Sequence, residues 1–144
     1  MKSDNRLWRT LHVLLHMHQS QQPMTSQAIG EMLNTNPVVV RRTMAGLRER
    51  HYVHSEKGHG GGWQLTCKLE DMTLLDVYEA LGSPTLFAMG QASDSQGCLV
   101  EAAVNQALAE VMEQARQLLL TRFASISLAE IDADFEVLKE LRGC

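Results

Sequence analysis

Apolar residues recur at helical spacing along most of this chain and alternate at strand spacing only between Tyr52 and Thr66. Leu7, Leu11, Leu14 and Leu15 stand at i, i+4, i+7 and i+8, which predicts an amphipathic helix over about residues 4–19 with that stripe buried. Gln21, Gln22 and Pro23 end it. Thr25 is a suitable N-cap for a second helix whose inward face is Ala28, Ile29, Met32 and Leu33, with Gly30 facing away or admitting a close neighbour. After the turn at residues 34–36, Asn36 caps and Pro37 starts a third helix running to about Arg50. At 100° per residue, Val40, Met44 and Leu47 share its core-facing sector, leaving Val38, Arg41, Arg42, Ala45 and Glu49 outward. Two short strand-like runs, residues 52–55 and 63–66, flank a glycine-rich tip and predict a hairpin.

The remainder is helical as well. Thr73 and Asp76 are spaced as a capping pair for a short helix that Gly82, Ser83 and Pro84 terminate. From about Leu99 to Arg122 runs a long helix with two apolar stripes, one of Val100, Val104, Ala107, Val111 and Leu118, the other of Leu108, Met112, Ala115 and Leu119. A monomer needs one buried face, so two stripes point to packing on the chain's own domain and on a second copy across a twofold axis. Ser127 and Glu130 form a capping box for a last helix with Leu128, Ile131, Phe135 and Leu138 inward. The fold class is therefore mainly α, a winged helix-turn-helix with a two-stranded wing and a long C-terminal dimerisation helix. Residues 1–82 are expected to be the DNA-binding domain, 83–98 a sensor loop, and 99–144 the dimerisation helices.

Charge changes this picture more than composition does. With 144 residues, 44% hydrophobic and 21% charged, the chain has the make-up of one soluble globular domain. No run is long or apolar enough for a signal or membrane segment, so a cytoplasmic protein with no membrane partner is expected. The net charge of −4 conceals a division: residues 1–66 hold eight Lys/Arg against four Asp/Glu, residues 67–144 five against thirteen, and all six histidines lie in the first part. A basic first half suits a polyanionic partner, double-stranded DNA, even though the whole chain is acidic.

The candidate chemistry concentrates between Thr25 and Trp63. Arg41 and Arg42, one turn into the third helix, are placed to reach guanine O6 and N7 or to clamp phosphates, and Val38 and Thr43 to meet a thymine methyl. Thr25, Ser26, Asn36 and Arg48 are further DNA-contact candidates, and Lys57, His59 and Gly60 at the hairpin tip suit insertion along a minor groove. Trp63 is read as an anchor of the wing base. The tip lacks the Lys-Ser/Thr pair and following helix of a phosphate-binding loop, and no nucleophile elbow appears, so neither nucleotide binding nor an enzyme is expected. His12 and His16 are one turn apart, but with no Cys, Asp or Glu at ligand spacing they are read as flanking the buried stripe, and no metal is expected.

Residues 25–29, 36–42, 57–63, 74–80 and 127–130, in that order and spacing, resemble the Rrf-two family of bacterial winged-helix transcription regulators over residues 4 to about 131. The resemblance implies a homodimer whose third helix reads a major groove and whose wing enters the adjacent minor groove. It places Arg41 and Arg42 among base-reading side chains, Lys57 as the wing cation, and repression ahead of activation. Iron–sulphur members carry three cysteines in the loop before the dimerisation helix, whereas residues 83–98 hold only Cys98, so no iron–sulphur cluster and no cofactor is expected. Cys98 stands near a helix start, where the dipole favours a thiolate, and reads either as a redox sensor or as a buried unreactive thiol. The expected function is a sequence-specific homodimeric DNA-binding regulator, a repressor, responding to a small-molecule or thiol-reactive effector. A winged-helix protein-interaction module without an operator is the alternative.

Overall fold

The computed structural model describes residues 4–87 and 97–143. In chain order these form α1 (Arg6–Ser20), α2 (Ser26–Leu33), α3 (Pro37–Glu49), β1 (Val53–Glu56), β2 (Gly62–Leu65), a 3₁₀ turn (Leu69–Asp71), α4 (Leu74–Ala80), α5 (Leu99–Ser125) and α6 (Leu128–Leu141). The element order is that of the sequence reading; α5 runs three residues further, and each strand is displaced by one. Residues 88–96 of the expected sensor loop and Cys144 lie outside the described residues.

Local chemistry sets the ends of the reading head. The Thr25 side chain accepts from the Ala28 N–H at 3.0 Å, and the Asn36 carboxamide oxygen from the Val38 N–H at 2.8 Å, with Pro37 in the first helical position. Between α2 and α3 the chain turns so tightly that a Cβ on Gly30 would lie 2.8 Å from the Thr35 carbonyl oxygen. Only glycine allows that approach. β1 and β2 pair antiparallel from Val53↔Leu65 to Glu56↔Gly62, and Met24, just before α2, adds a bridge to Trp63 through Met24 N–H to Trp63 O at 3.1 Å and Trp63 N–H to Met24 O at 2.8 Å. The wing base is thereby tied to the helix-turn-helix.

One core joins these elements: Val13, Leu14 and Met17 of α1, Ile29 of α2, Val40, Met44 and Leu47 of α3, Val53 and Trp63 of the wing, then Leu69, Met72, Val77 and Leu128. The α3 face matches the angular expectation. In α1 the buried positions are Thr10, Val13, Leu14 and Met17, while Leu7, Leu11 and Leu15 are half-buried, so the stripe is rotated from the one the leucines alone suggest. Thr10 is tolerated inside because its hydroxyl donates to the Arg6 carbonyl at 2.7 Å. Ala28 is exposed rather than inward, since Ile29 and Gly30 take the buried side of α2.

The C-terminal helices differ more from expectation. α4 opens with the reciprocal capping box, Thr73 Oγ1 accepting from Asp76 N–H and Asp76 Oδ2 from Thr73 N–H. Its start is pinned to the α5–α6 junction by Leu74 N–H to Ile126 O at 3.0 Å and Leu128 N–H to Met72 O at 2.8 Å. Ser127 caps α6 by accepting from the Glu130 N–H. Only Leu128 of α6 is buried; Phe135 and Leu138, expected inward, are exposed because α6 lies along the side of the domain. No residue of α5 is fully buried. Met112, Ala115 and Leu119 are half-buried, with Phe123 edge-on to Tyr78 of α4, whereas Leu108 of the same expected stripe is exposed. The other stripe, Val100, Val104, Ala107, Val111 and Leu118, is exposed throughout.

Candidate nucleic-acid interface

α3 and the wing separate the arginines by what each already holds. Arg50 lies 3.6 Å from Glu79 of α4, and the Arg48 guanidinium sits 5.7 Å above the Trp63 ring. Arg41 and Arg42 are exposed and have no hydrogen-bond or ion-pair partner among the described residues. Two guanidinium groups held free on an outward helix face keep their full donor capacity for an anion or a base edge. Val38 is exposed one turn N-terminal to Arg42, and Thr43 is half-buried beside them.

Trp63 organises the base of the wing. Its ring is 8% exposed, it bridges to Met24, and its Nε1–H donates to the Ser26 Oγ at 2.9 Å, while Arg48 covers the ring. Ser26, read as a DNA-contact candidate, thus has one lone pair committed to Trp63 and keeps its own O–H for an outside acceptor. Thr25 likewise accepts from a backbone amide, and Asn36 uses its carboxamide oxygen as a cap, leaving its NH₂ to donate outward. Arg48 belongs to the anchor as much as to any ligand-facing surface. The Ser26–Trp63–Arg48 arrangement was not legible in the sequence, where only the anchoring role of Trp63 could be inferred. Val39, 44% exposed beside Val38, was also missed.

At the tip, Lys57, His59 and Gly60 are exposed, and Gly58 and Gly60 adopt φ of +95° and +75°. That left-handed backbone lets the hairpin reverse direction within a few residues, with the Gly61 N–H donating to the Gly58 carbonyl at 3.0 Å while the Lys57 and His59 side chains stay exposed. The recognition-helix arginines and the wing cation are therefore carried on elements that Trp63 and Met24 fix relative to one another.

The cysteines stand apart from this surface. Cys67 is half-buried below the wing, and burial, reinforced by Asp71 and Asp76, pushes its thiol above the ordinary range, which disfavours the reactive thiolate. Cys98 is exposed and is the N-cap residue of α5 without a side-chain cap bond, so the reading of it as a buried loop thiol does not hold.

A family model described as Rrf2, iron-dependent transcriptional regulator, matches residues 4–134. YwnA of Bacillus subtilis (strain 168), whose name describes an HTH-type transcriptional regulator, is 30% identical over 129 residues, covering 89% of this chain and 95% of its own. Two solved structures share the fold. A transcriptional regulator from Lactobacillus plantarum superposes with a TM-score of 0.75 at 21% identity, over 96% of this chain and 97% of its own. CymR, the global cysteine regulator of B. subtilis, gives 0.65 at 17% identity over 92% and 97%.

Iron in the family's description invites a test against the donors present. An iron–sulphur cluster is held by thiolates converging on one point. Here Cys67 sits beneath the wing and Cys98 at the start of α5, and among the described residues no group of three His, Cys, Asp or Glu side chains is placed to hold a metal. The donor set does not fit a cluster. No helix of the described residues is long and apolar enough to cross a membrane. The agreement with the family model extends over the helix-turn-helix, the wing, α4, α5 and the first half of α6, and by it the chain belongs to the Rrf2 family of winged-helix, DNA-binding transcriptional regulators.

Proposed function

We propose that this protein is a homodimeric, sequence-specific repressor that reads duplex DNA with α3 in a major groove and the wing tip in the flanking minor groove. Residues 1–82 serve as the DNA-binding part and residues 99–144 as the dimerisation part. The observation that carries the reading is the pair Arg41 and Arg42, exposed and unpartnered on the outward face of α3, while the other two arginines of the segment are held by Trp63 and Glu79. Lys57 and His59 supply cationic and polar groups to the minor groove, where a narrow width concentrates negative potential. Val38, Asn36 and the hydroxyls of Thr25 and Ser26 border the same contact. A twofold dimer binds a near-palindromic site with half-sites one or two helical turns apart.

Replacing Arg41 by Ala is expected to weaken binding to the selected operator by about 1–3 kcal/mol and to relax one base preference. Competition of the purified protein against an operator library reads both effects; an unchanged base preference removes Arg41 from base readout. Operators come from genome-scale selection of bound fragments. A salt titration of duplex binding tests the reading as a whole, because each phosphate contact steepens the fall of affinity with salt. Absence of any salt-dependent duplex binding leaves the protein-interaction module as the better account.

The signal enters, in this proposal, at the segment 83–98. An open cavity of about 440 Å³ borders its first residues, between Tyr78 of α4, Ser83–Phe87, and Met112 and Arg116 of α5. A small molecule there, or modification of Cys98 at the N-cap of the same helix, acts on the join between reading head and dimer helix, and so shifts the populations of head orientations. Cys98→Ser is expected to leave operator affinity intact and abolish the response to oxidant, as read by DNA binding before and after treatment. A full response to oxidant in that variant removes Cys98 as the trigger.

A further inference from the structure

Trp8, His12 and His16 succeed one another at four-residue spacing along one face of α1. The Trp8 and His12 ring centroids are 5.1 Å apart, and those of His12 and His16 are 4.7 Å apart with their planes at 66°. The two Nε2 atoms meet at 3.1 Å, one carrying the proton and donating to the other. That separation matches a coordination edge: two imidazole nitrogens bound to one ion at about 2.0–2.1 Å, with angles between a right angle and the tetrahedral one, lie roughly 2.9–3.4 Å apart.

The surroundings leave the pair able to rearrange. His16 is exposed, so the site opens to solvent. The His12 Nδ1 has no hydrogen-bond partner among the described residues, so only the bond between the rings sets that tautomer. One turn further along the same face, Gln19 donates to Asp132 Oδ1 at 2.7 Å and to Glu136 Oε1 at 3.3 Å, so these carboxylates of α6 are engaged there and do not join the pair as ligands.

We propose that His12 and His16 bind a divalent transition ion of the borderline class, such as Ni²⁺, Co²⁺ or Zn²⁺, through both Nε2 atoms. Binding replaces the hydrogen bond between the rings: the donating imidazole keeps its proton on Nδ1 instead of Nε2, both lone pairs turn to the ion, and no proton is released. Water fills the other coordination positions, since no third donor group stands with the pair among the described residues. Imidazole suits these ions, whereas Mg²⁺ and Ca²⁺ require oxygen ligands and are excluded. The site is independent of the regulator reading.

Trp8 provides the readout, because its ring stacks beside His12 and a paramagnetic ion at the pair quenches its emission. Titration of the tag-free full chain with NiCl₂ is expected to give saturable quenching that MgCl₂ does not reproduce. His16→Gln, an exposed change that leaves the core untouched, is expected to lose it, and so is His12→Gln. His18→Gln, whose ring faces Asp132 at 3.6 Å, is expected to keep it. Trp8→Phe is expected to remove the quenching and leave the emission of Trp63. Overturning results are the absence of saturable quenching in the parent chain, unchanged saturation in His16→Gln, or quenching that persists in Trp8→Phe and so puts the ion elsewhere.

Discussion

Replacing Leu47 by Ala is expected to destabilise the fold by about 2–5 kcal/mol, a large part of the total stability of an ordinary domain. Leu47 is fully buried near the C-terminal end of α3, and its carbonyl receives the Tyr52 N–H at 3.0 Å as the chain leaves the helix for β1. Truncation therefore opens a cavity where the recognition helix, α1 and the wing strand share one core, and the tight exit to β1 limits how far the walls can collapse. Urea denaturation at one fixed protein concentration measures the loss, with fixed concentration needed because association of the proposed dimer would contribute to apparent stability. Leu47→Met keeps the volume and is expected to cost less than about 1.5 kcal/mol. A loss below about 1 kcal/mol in the alanine variant shows that the site relaxes freely, and that the head is not held by this core.

What could be read in advance divides along physical lines. α3 was legible because three apolar positions within one sector, an Asn cap and a Pro start all agree, and local and tertiary preferences then choose the same register. In α1 the leucines misled, because Met17, Val13 and a self-satisfied Thr10 fill the inward sector while three of the four leucines lie along its margins. The wing hairpin was legible from its glycines and strand formers. Its anchor was not: the bond from Trp63 Nε1 to Ser26 spans 37 residues, and no periodic pattern encodes a single long-range side-chain pair. The four arginines showed the same limit. Angle alone separated Arg41 and Arg42 from the rest, but only the fold reveals that Arg50 answers Glu79 and that Arg48 lies on an aromatic face.

The partners of those arginines also explain how an acidic chain presents a basic surface. Arg50 and Arg48 are occupied within the protein, while Arg41, Arg42 and Lys57 are exposed on α3 and the tip, and most of the acidic residues belong to the second half of the sequence. The net charge of −4 is thus an average over a basic first half and an acidic second half, and it does not describe the charge that α3 and the wing present.

Replacing Val111 by Glu is expected to convert the protein to monomers and to lower affinity for a two-half-site operator by about 10²–10⁴-fold, while affinity for an isolated half-site stays as it was. Val104, Val111 and Leu118 stand at seven-residue intervals on α5, with Val100 and Ala107 in the second position of the repeat, which is the spacing of a seam between two helices. None is buried by the chain itself; Val111 is 63% and Leu118 68% exposed. Phe135, Leu138 and Leu141 of α6 add exposed apolar area, and so much of it on one chain marks a surface that associates. In the proposed dimer a twofold axis along the seam would set each Val111 close to its counterpart, so the glutamates would face one another in an apolar strip with no cation supplied by the seam residues. Sedimentation velocity reads the assembly, and titration of full and half operators reads the consequence. A dimer that survives Val111→Glu moves the interface off this face of α5. Monomers that retain full-operator affinity instead separate assembly from DNA reading, and leave each head to bind alone.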